Sequence, residues 1–362
     1  MKKNILKRVG ILVMAAAIGI GAAGCGKEDT QNAAEESTGN VTEKTDADEA
    51  EQAKTTEEGN APSGDAAEKL VIHIGDQPPV LPVKIAELNG YFAEELGENV
   101  EIEITQFSSG PSIVEGYMAD QVDFAISGDA PIIQGIAGGA DVKIIAAPAE
   151  SDKASGLVAT EASGIKELFD IKGKKVGVTL GSTYHQLLLI YLDSLGLTTD
   201  DIQIVNVPTA EAMTALETEN IDAAILNMQN INTVVDKGIA HLVATSEGYK
   251  YGIVAVSART EFADAHPEAV SGFLRALKRA TEYIAENPEE AVKLVAAETG
   301  IEEKDLLANV KLQDYVFDFS QRKQDSVQQS VEFAYQAELI NKELTLEDVV
   351  DTSYLEAAGL AE

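Results

Sequence analysis

Residues 69–362 are predicted to form an α/β fold of two lobes, each with a mostly parallel sheet covered by helices. Three observations predict it. Short apolar runs of strand length alternate with segments of helical spacing, and the pair recurs about every 25 residues. The apolar runs end in turns of Gly, Ser, Asp, Asn and Pro that lead into the next helix. At roughly 290 residues, the stretch is also long enough for two lobes of ordinary size.

In chain order, Leu70–Ile74 alternates as a first strand, and Gly75-Asp76-Gln77-Pro78-Pro79 breaks it. Pro82 opens a helix through Val83–Leu88, stopped by Asn89-Gly90. Val100–Thr105 is a second strand, closed by Phe107-Ser108-Ser109-Gly110-Pro111, with Pro111 suited to a helix start. The helix carrying Ile113, Val114, Tyr117 and Met118 leads to a third strand, Val122–Ile126, which ends in Ser127-Gly128-Asp129-Ala130-Pro131. A helix follows from Ile132, and Val142–Ala147 is a fourth strand. Ligands of parallel sheets sit at the carboxyl ends of the strands. The turns at Asp76–Pro79, Ser108–Gly110 and Gly128-Asp129 fall there.

The second half repeats the device, most clearly in Lys172–Leu188, KGKKVGVTLGSTYHQLL. Val176–Val178 is a short buried strand, Leu180-Gly181-Ser182-Thr183 turns the chain, and Leu187, Leu188, Tyr191, Leu192 and Leu195 fall at helical spacing. Such a unit aims free N–H groups and a positive dipole end at one point, which suits the oxygens of a small anion or polar ligand. Ser182 or Thr183 would serve equally as a helix cap. Ile202–Val207 and Ile221–Leu226 are further strands, each followed by a turn and a helix, the second turn being Asn227-Met228-Gln229-Asn230. Ser155–Ala159 and Tyr251–Val256 share a pattern expected of two strands crossing between lobes. Beyond Arg259 the chain is helical, with Pro267–Glu286, Pro288–Glu298 and Glu303–Val310 the clearest segments. The expected division is 69–156 for the first part of lobe 1, 157–252 for lobe 2, and 253–362 for the return to lobe 1 and the C-terminal helices.

The first 25 residues read as a signal peptide: Lys2, Lys3, Lys7 and Arg8, then apolar Ile11–Ile20, then small residues up to Cys25. The apolar run is too short to favour a membrane-spanning helix. Cys25 is the single cysteine, and the run before it resembles a lipoprotein cleavage motif, which implies lipidation of Cys25 and a cell-membrane anchor outside the cytoplasm. Residues 26–68 carry a net −10 and almost no large apolar residue. Their composition predicts a solvated spacer with a span of about 35–40 Å. Of the total charge of −34, residues 69–362 hold −28, which argues against binding nucleic acid or an anionic membrane surface through the folded part.

The order of the pieces resembles the substrate-binding proteins of ABC importers, in the nitrate, sulfonate and taurine branch. The residues that carry the resemblance are Gly75-Asp76-Gln77-Pro78 with Gly90-Tyr91-Phe92, Phe107–Gly110, Phe124–Pro131, Gly173–Leu188 and His266–Leu274. It implies a type II periplasmic-binding-protein fold, two lobes closing on a ligand around a two-strand hinge. It implies capture of a small anionic or zwitterionic ligand of the aliphatic sulfonate, taurine or nitrate class, and its delivery to an ABC permease and its ATPase. A monomer with no cofactor and no catalysis is expected. A second reading keeps the fold and changes the cargo to a thiamine precursor or another flat heterocycle.

A sulfonate-like head offers three acceptor oxygens, and Ser109, Gly110, Ser182 and Thr183 could donate to them from both lobes. Gln77 and Asn227 could read the remainder of the ligand, or simply form turns. Asp129 would repel an anion, so it either caps the helix that follows or pairs with a ligand amine. His185 could approach Ser182, but the stretch is not a nucleophile elbow and no third residue completes a hydrolase. The histidines at 73, 185, 241 and 266 lack metal-ligand spacing. Enzymes of this fold that rely on cysteine find none after Cys25.

Overall fold

The computed structural model describes residues 69–77 and 81–361; the leader, the spacer, Cys25 and Pro78-Pro79 lie outside them. Among the described residues ten strands form two five-stranded sheets. The first contains β1 (Leu70–Asp76), β2 (Val100–Gln106), β3 (Phe124–Gly128), β4 (Val142–Ser151) and β10 (Gly252–Arg259), in the order β2-β1-β3-β10-β4. The second contains β5 (Ser155–Ala159), β6 (Lys175–Val178), β7 (Gln203–Asn206), β8 (Ala223–Asn227) and β9 (His241–Thr245), in the order β7-β6-β8-β5-β9. In the first sheet β2, β1 and β3 run parallel while β10 is antiparallel to β3 and β4. In the second β7, β6 and β8 run parallel while β5 is antiparallel to β8 and β9. The antiparallel member of each sheet is the strand on which the chain arrives from the other lobe.

Helices follow the parallel strands: α1 (Leu81–Leu88), α2 (Tyr91–Leu96), α3 (Gly110–Met118), α4 (Asp129–Ala137), α5 (Thr183–Ser194), α6 (Thr209–Glu217) and α7 (Met228–Asp236). After β10 come α8 (Thr260–Ala265), α9 (Pro267–Glu286), α10 (Pro288–Thr299), α11 (Glu303–Val310), α12 (Gln321–Gln336) and two short helices, α13 (Leu346–Val349) and α14 (Ser353–Ala357). The first core centres on α9, whose Phe273 stacks on Phe124 of β3 at 4.2 Å and on Phe92 of α2 at 5.7 Å. Among the described residues no helix is long and apolar enough to cross a membrane.

The crossings between sheets differ from the expectation. The two strands of matching pattern do not cross; β5 lies wholly in the second sheet and β10 wholly in the first. A Cβ at Gly156 would overlap the Ala244 carbonyl oxygen, so β5 is held tightly against β9. The chain changes lobes in the short connections 152–154 and 246–251 instead. The segment after α11 straps both. Asp318 and Asp314 bridge to Ala147 and Glu150 of β4, Ser151 Oγ donates to the Leu312 carbonyl at 2.5 Å, and Ser326 Oγ to the Tyr251 carbonyl at 2.7 Å. Lys323 of α12 is fully buried there, its ammonium donating to the carbonyls of Ala147 (2.9 Å) and Val316 (2.6 Å) and to Asp318 Oδ1 (2.5 Å).

Candidate ligand-binding site

The starts of α3, α4, α5 and α7 lie at strand ends, and their first-turn N–H groups are satisfied by cap side chains or left bare. Ser109 caps α3, its hydroxyl accepting from Ser112 N at 3.3 Å while Ser112 Oγ accepts from Ser109 N. Ser182 caps α5, accepting from His185 N at 3.2 Å and donating to the Thr179 carbonyl at 2.6 Å. Asn227 caps α7 through Oδ1, 2.9 Å from Asn230 N. The cap of α4 is Gly128, which has no side chain to offer.

Close glycine contacts bring three of these ends together. A Cβ at Gly110 would lie 2.8 Å from Pro131 Cβ, which joins the starts of α3 and α4. A Cβ at Gly128 would overlap Thr183 Oγ1 and sit 3.2 Å from Thr183 Cβ, which joins α4 of the first lobe to α5 of the second. Gly181, at φ 76°, lies opposite Pro111, and its carbonyl accepts from Gln134 Nε2 at 3.0 Å. So Gly110, Ser182 and Thr183 gather around Gly128, and Ser109 stands one residue behind Gly110. Asn227 stands near the hydroxyl of Tyr184, the neighbour of Thr183, and burial raises the pKa of that hydroxyl. Gln77 follows directly on β1, and among the described residues no hydrogen bond draws its side chain to the others. Three positive dipole ends facing one small region can hold negative charge without any arginine.

Asp129 accepts from a first-turn N–H as a cap would, but it does so from inside the helix. It is the first residue of α4, not its cap, and its carboxylate is fully buried. Oδ1 accepts from Ala130 N at 2.9 Å, and Oδ2 from Ser330 Oγ at 2.5 Å and Lys250 Nζ at 3.3 Å. With no exposed oxygen and three protein donors, it has no room for a ligand amine. The His185 ring engages the backbone: its Nδ1 accepts from Gly181 N at 3.3 Å, and burial holds its pKa below the ordinary value. Phe107 packs beneath Gly75 and Gly116 at the edge of the core.

Three residues here were not visible in the sequence. Lys250 and Ser330 are two. Gln186, four residues after Ser182, is 2% exposed and its Oε1 has no hydrogen-bond partner. Glutamine on a helix of leucines carries no signal by itself.

Asp76, beside Gln77, gives a pH prediction. Burial pushes its carboxyl up to about 7, against hydrogen bonds from the Gln106 side chain and the Gln77 backbone. The native state therefore holds this proton more tightly than the unfolded chain does. The resulting stabilisation is complete below the ordinary carboxylate value and is lost as pH rises through 7. Asp76→Asn should stabilise the protein by about 2–4 kcal/mol at pH 8 and by almost nothing at pH 4. Urea unfolding at both pH values checks this; an equal effect at each would contradict it.

A cavity of about 790 Å³ lies elsewhere, lined by Leu70, Leu96, Val100, His266 and Arg275 at the opposite end of β1 from Gln77. Its Arg275 is already bonded to Glu95 at 2.8 Å; the donors at the strand ends are those of the helix starts.

Comparison with known proteins places the chain in a family. The NMT1/THI5-like family matches residues 77–291. A Bacillus subtilis (strain 168) protein named "Putative aliphatic sulfonates-binding protein" is 30% identical over 307 residues, covering 83% of this chain and 91% of that protein. The taurine-binding periplasmic protein of Escherichia coli (strain K12) is 24% identical over 259 residues, covering 69% of this chain and 79% of that protein. The solved alkanesulfonate-binding protein SsuA from Xanthomonas axonopodis pv. citri, bound to MOPS, has a TM-score of 0.72 at 22% identity, over 79% of this chain and 99% of that one.

Proposed function

Because the chain belongs to the NMT1/THI5-like family and has the two-lobed fold of periplasmic binding proteins, we propose that it is an extracytoplasmic solute-binding protein. It captures a small anionic or zwitterionic ligand of the aliphatic sulfonate, taurine or nitrate class and delivers it to an ABC permease with its ATPase. The observation that supports this most is the meeting of three helix starts from both lobes at Gly110, Gly128 and Thr183. Donors drawn from two lobes favour the closed state only when a ligand joins them. The relatives reported are binding proteins, and the proposed role is binding without turnover. Lipid on Cys25 and a monomeric state complete the reading.

The proposed contacts are the N–H groups at Gly110 and Thr183, the Thr183 hydroxyl and the Asn227 amide, with Gln77 at the rim. Ser109 and Ser182 act by shaping the helix ends. Calorimetric titration with methanesulfonate, taurine and nitrate tests the class, and binding of none of them would overturn it. The same titrations separate the hydroxyls. Thr183→Val should weaken binding about tenfold to a hundredfold, the effect of losing one hydrogen bond to a charged acceptor. Ser182→Ala should instead cost about 0.5–2 kcal/mol of folding stability, as a lost cap does, with affinity little changed. Thr183→Val binding as tightly as wild type would reduce that hydroxyl to a packing contact with Gly128.

A further inference from the structure

We propose that Lys250 is a positioning residue that cancels the charge of Asp129 and so lets the start of α4 accept a negatively charged ligand group; this rests on the anionic reading above. Asp129 follows directly on Gly128, the residue in contact with Thr183 across the lobes. An unpaired carboxylate there would occupy the positive end of the α4 dipole and repel a second anion. Lys250 lies 3.3 Å from Asp129 Oδ2, and both side chains are almost wholly buried, 6% and 0% exposed. In a site so dry the pair is screened little by solvent, so its neutrality is felt at the neighbouring residue.

The origin of the lysine gives the pair a second meaning. Lys250 belongs to the connection 246–251, one of the two places where the chain changes lobes. Its ammonium also donates to Ser330 Oγ of α12 at 2.9 Å, and that hydroxyl donates to Asp129 at 2.5 Å. One triad therefore ties the crossing, the strapping helix and the helix start at the ligand. Charge compensation at the site and the geometry of the crossing depend on the same three side chains.

The test uses the full chain and four proteins: wild type, Lys250→Met, Asp129→Asn and the double variant. Methanesulfonate affinity is measured by calorimetry and folding by urea unfolding. Lys250→Met should bind methanesulfonate about tenfold to a hundredfold more weakly, a usual range for coupling between sites. The double variant, in which neither charge remains, should return to within about threefold of wild type. Asp129→Asn, which leaves the ammonium without a counter-charge, should bind at least about threefold more tightly. If Lys250→Met does not fold, Asp129→Asn decides alone: affinity equal to or weaker than wild type overturns the proposal. A merely structural pair would lower stability in both single variants and leave affinity unmoved, which also overturns it. Wild type that binds methanesulfonate, taurine and nitrate not at all would bring down the anionic reading first and this proposal with it.

Discussion

Gly128→Ala is expected to weaken ligand binding by at least about a hundredfold, while unfolding of the ligand-free protein changes by less than about 1 kcal/mol. Gly128 has φ −73°, an ordinary value for any residue, so the added methyl strains no backbone. Its space is taken by Thr183 from the other lobe, and that contact exists only when the lobes meet. The methyl therefore acts on closure and leaves each lobe intact. Gly110→Ala is the contrast, since its Cβ would meet Pro131 within one lobe; that overlap should lower folding stability itself. Calorimetry, urea unfolding and small-angle scattering with and without ligand check both. A Gly128→Ala protein that still contracts with ligand and binds it normally would refute the closure argument.

The largest stability effect is expected at Lys323. Lys323→Ala should cost about 3–5 kcal/mol, because it leaves Asp318 and the carbonyls of Ala147 and Val316 without their shared donor. Burial holds the Lys323 pKa below the ordinary lysine value. Lys323→Met, which refills the volume and restores no donor, should recover less than half of the loss. Equilibrium unfolding in urea reads both variants. A loss below about 1 kcal/mol for Lys323→Ala would mean that water reaches these carbonyls.

Most of the secondary structure was legible because its signals are local. The run Val100–Thr105 alternates and became β2; Pro267 opens α9 and Pro288 opens α10, as a proline at the first helical turn should. The short helix α2 was missed, since Tyr91-Phe92-Ala93 has neither the length nor the period to declare a helix. At the site, Ser182 looked equally like a cap and a ligand donor, and its hydroxyl proved to be bonded on both sides by its own helix turn. Gly128 read as a turn residue, whereas the need for glycine comes from Thr183, a partner in the other lobe. Lys250 stands between two tyrosines in what reads as an exposed connection, and its partner Asp129 lies 121 residues away. Sequence period reports what a residue does to its neighbours along the chain. It is silent on pairs that only the fold brings together.

The place of β10 between β3 and β4 has a consequence for the order in which the molecule assembles. On a chain emerging N-terminus first, β5 to β9 follow one another without interruption, so the second sheet can close as soon as residue 245 is available. The first sheet cannot. Among the described residues β4 pairs with β10 alone of the strands, and its remaining backbone bridges reach Asp314, Asp318 and Val350. From the moment it appears until residue 252 arrives, β4 is a bare edge ten residues long with an almost wholly apolar, burial-seeking face. The lobe that begins first is thus finished last, and the wait, set by about a hundred intervening residues, exposes Ile144, Ile145, Ala146 and Ala147 to any other unpaired strand.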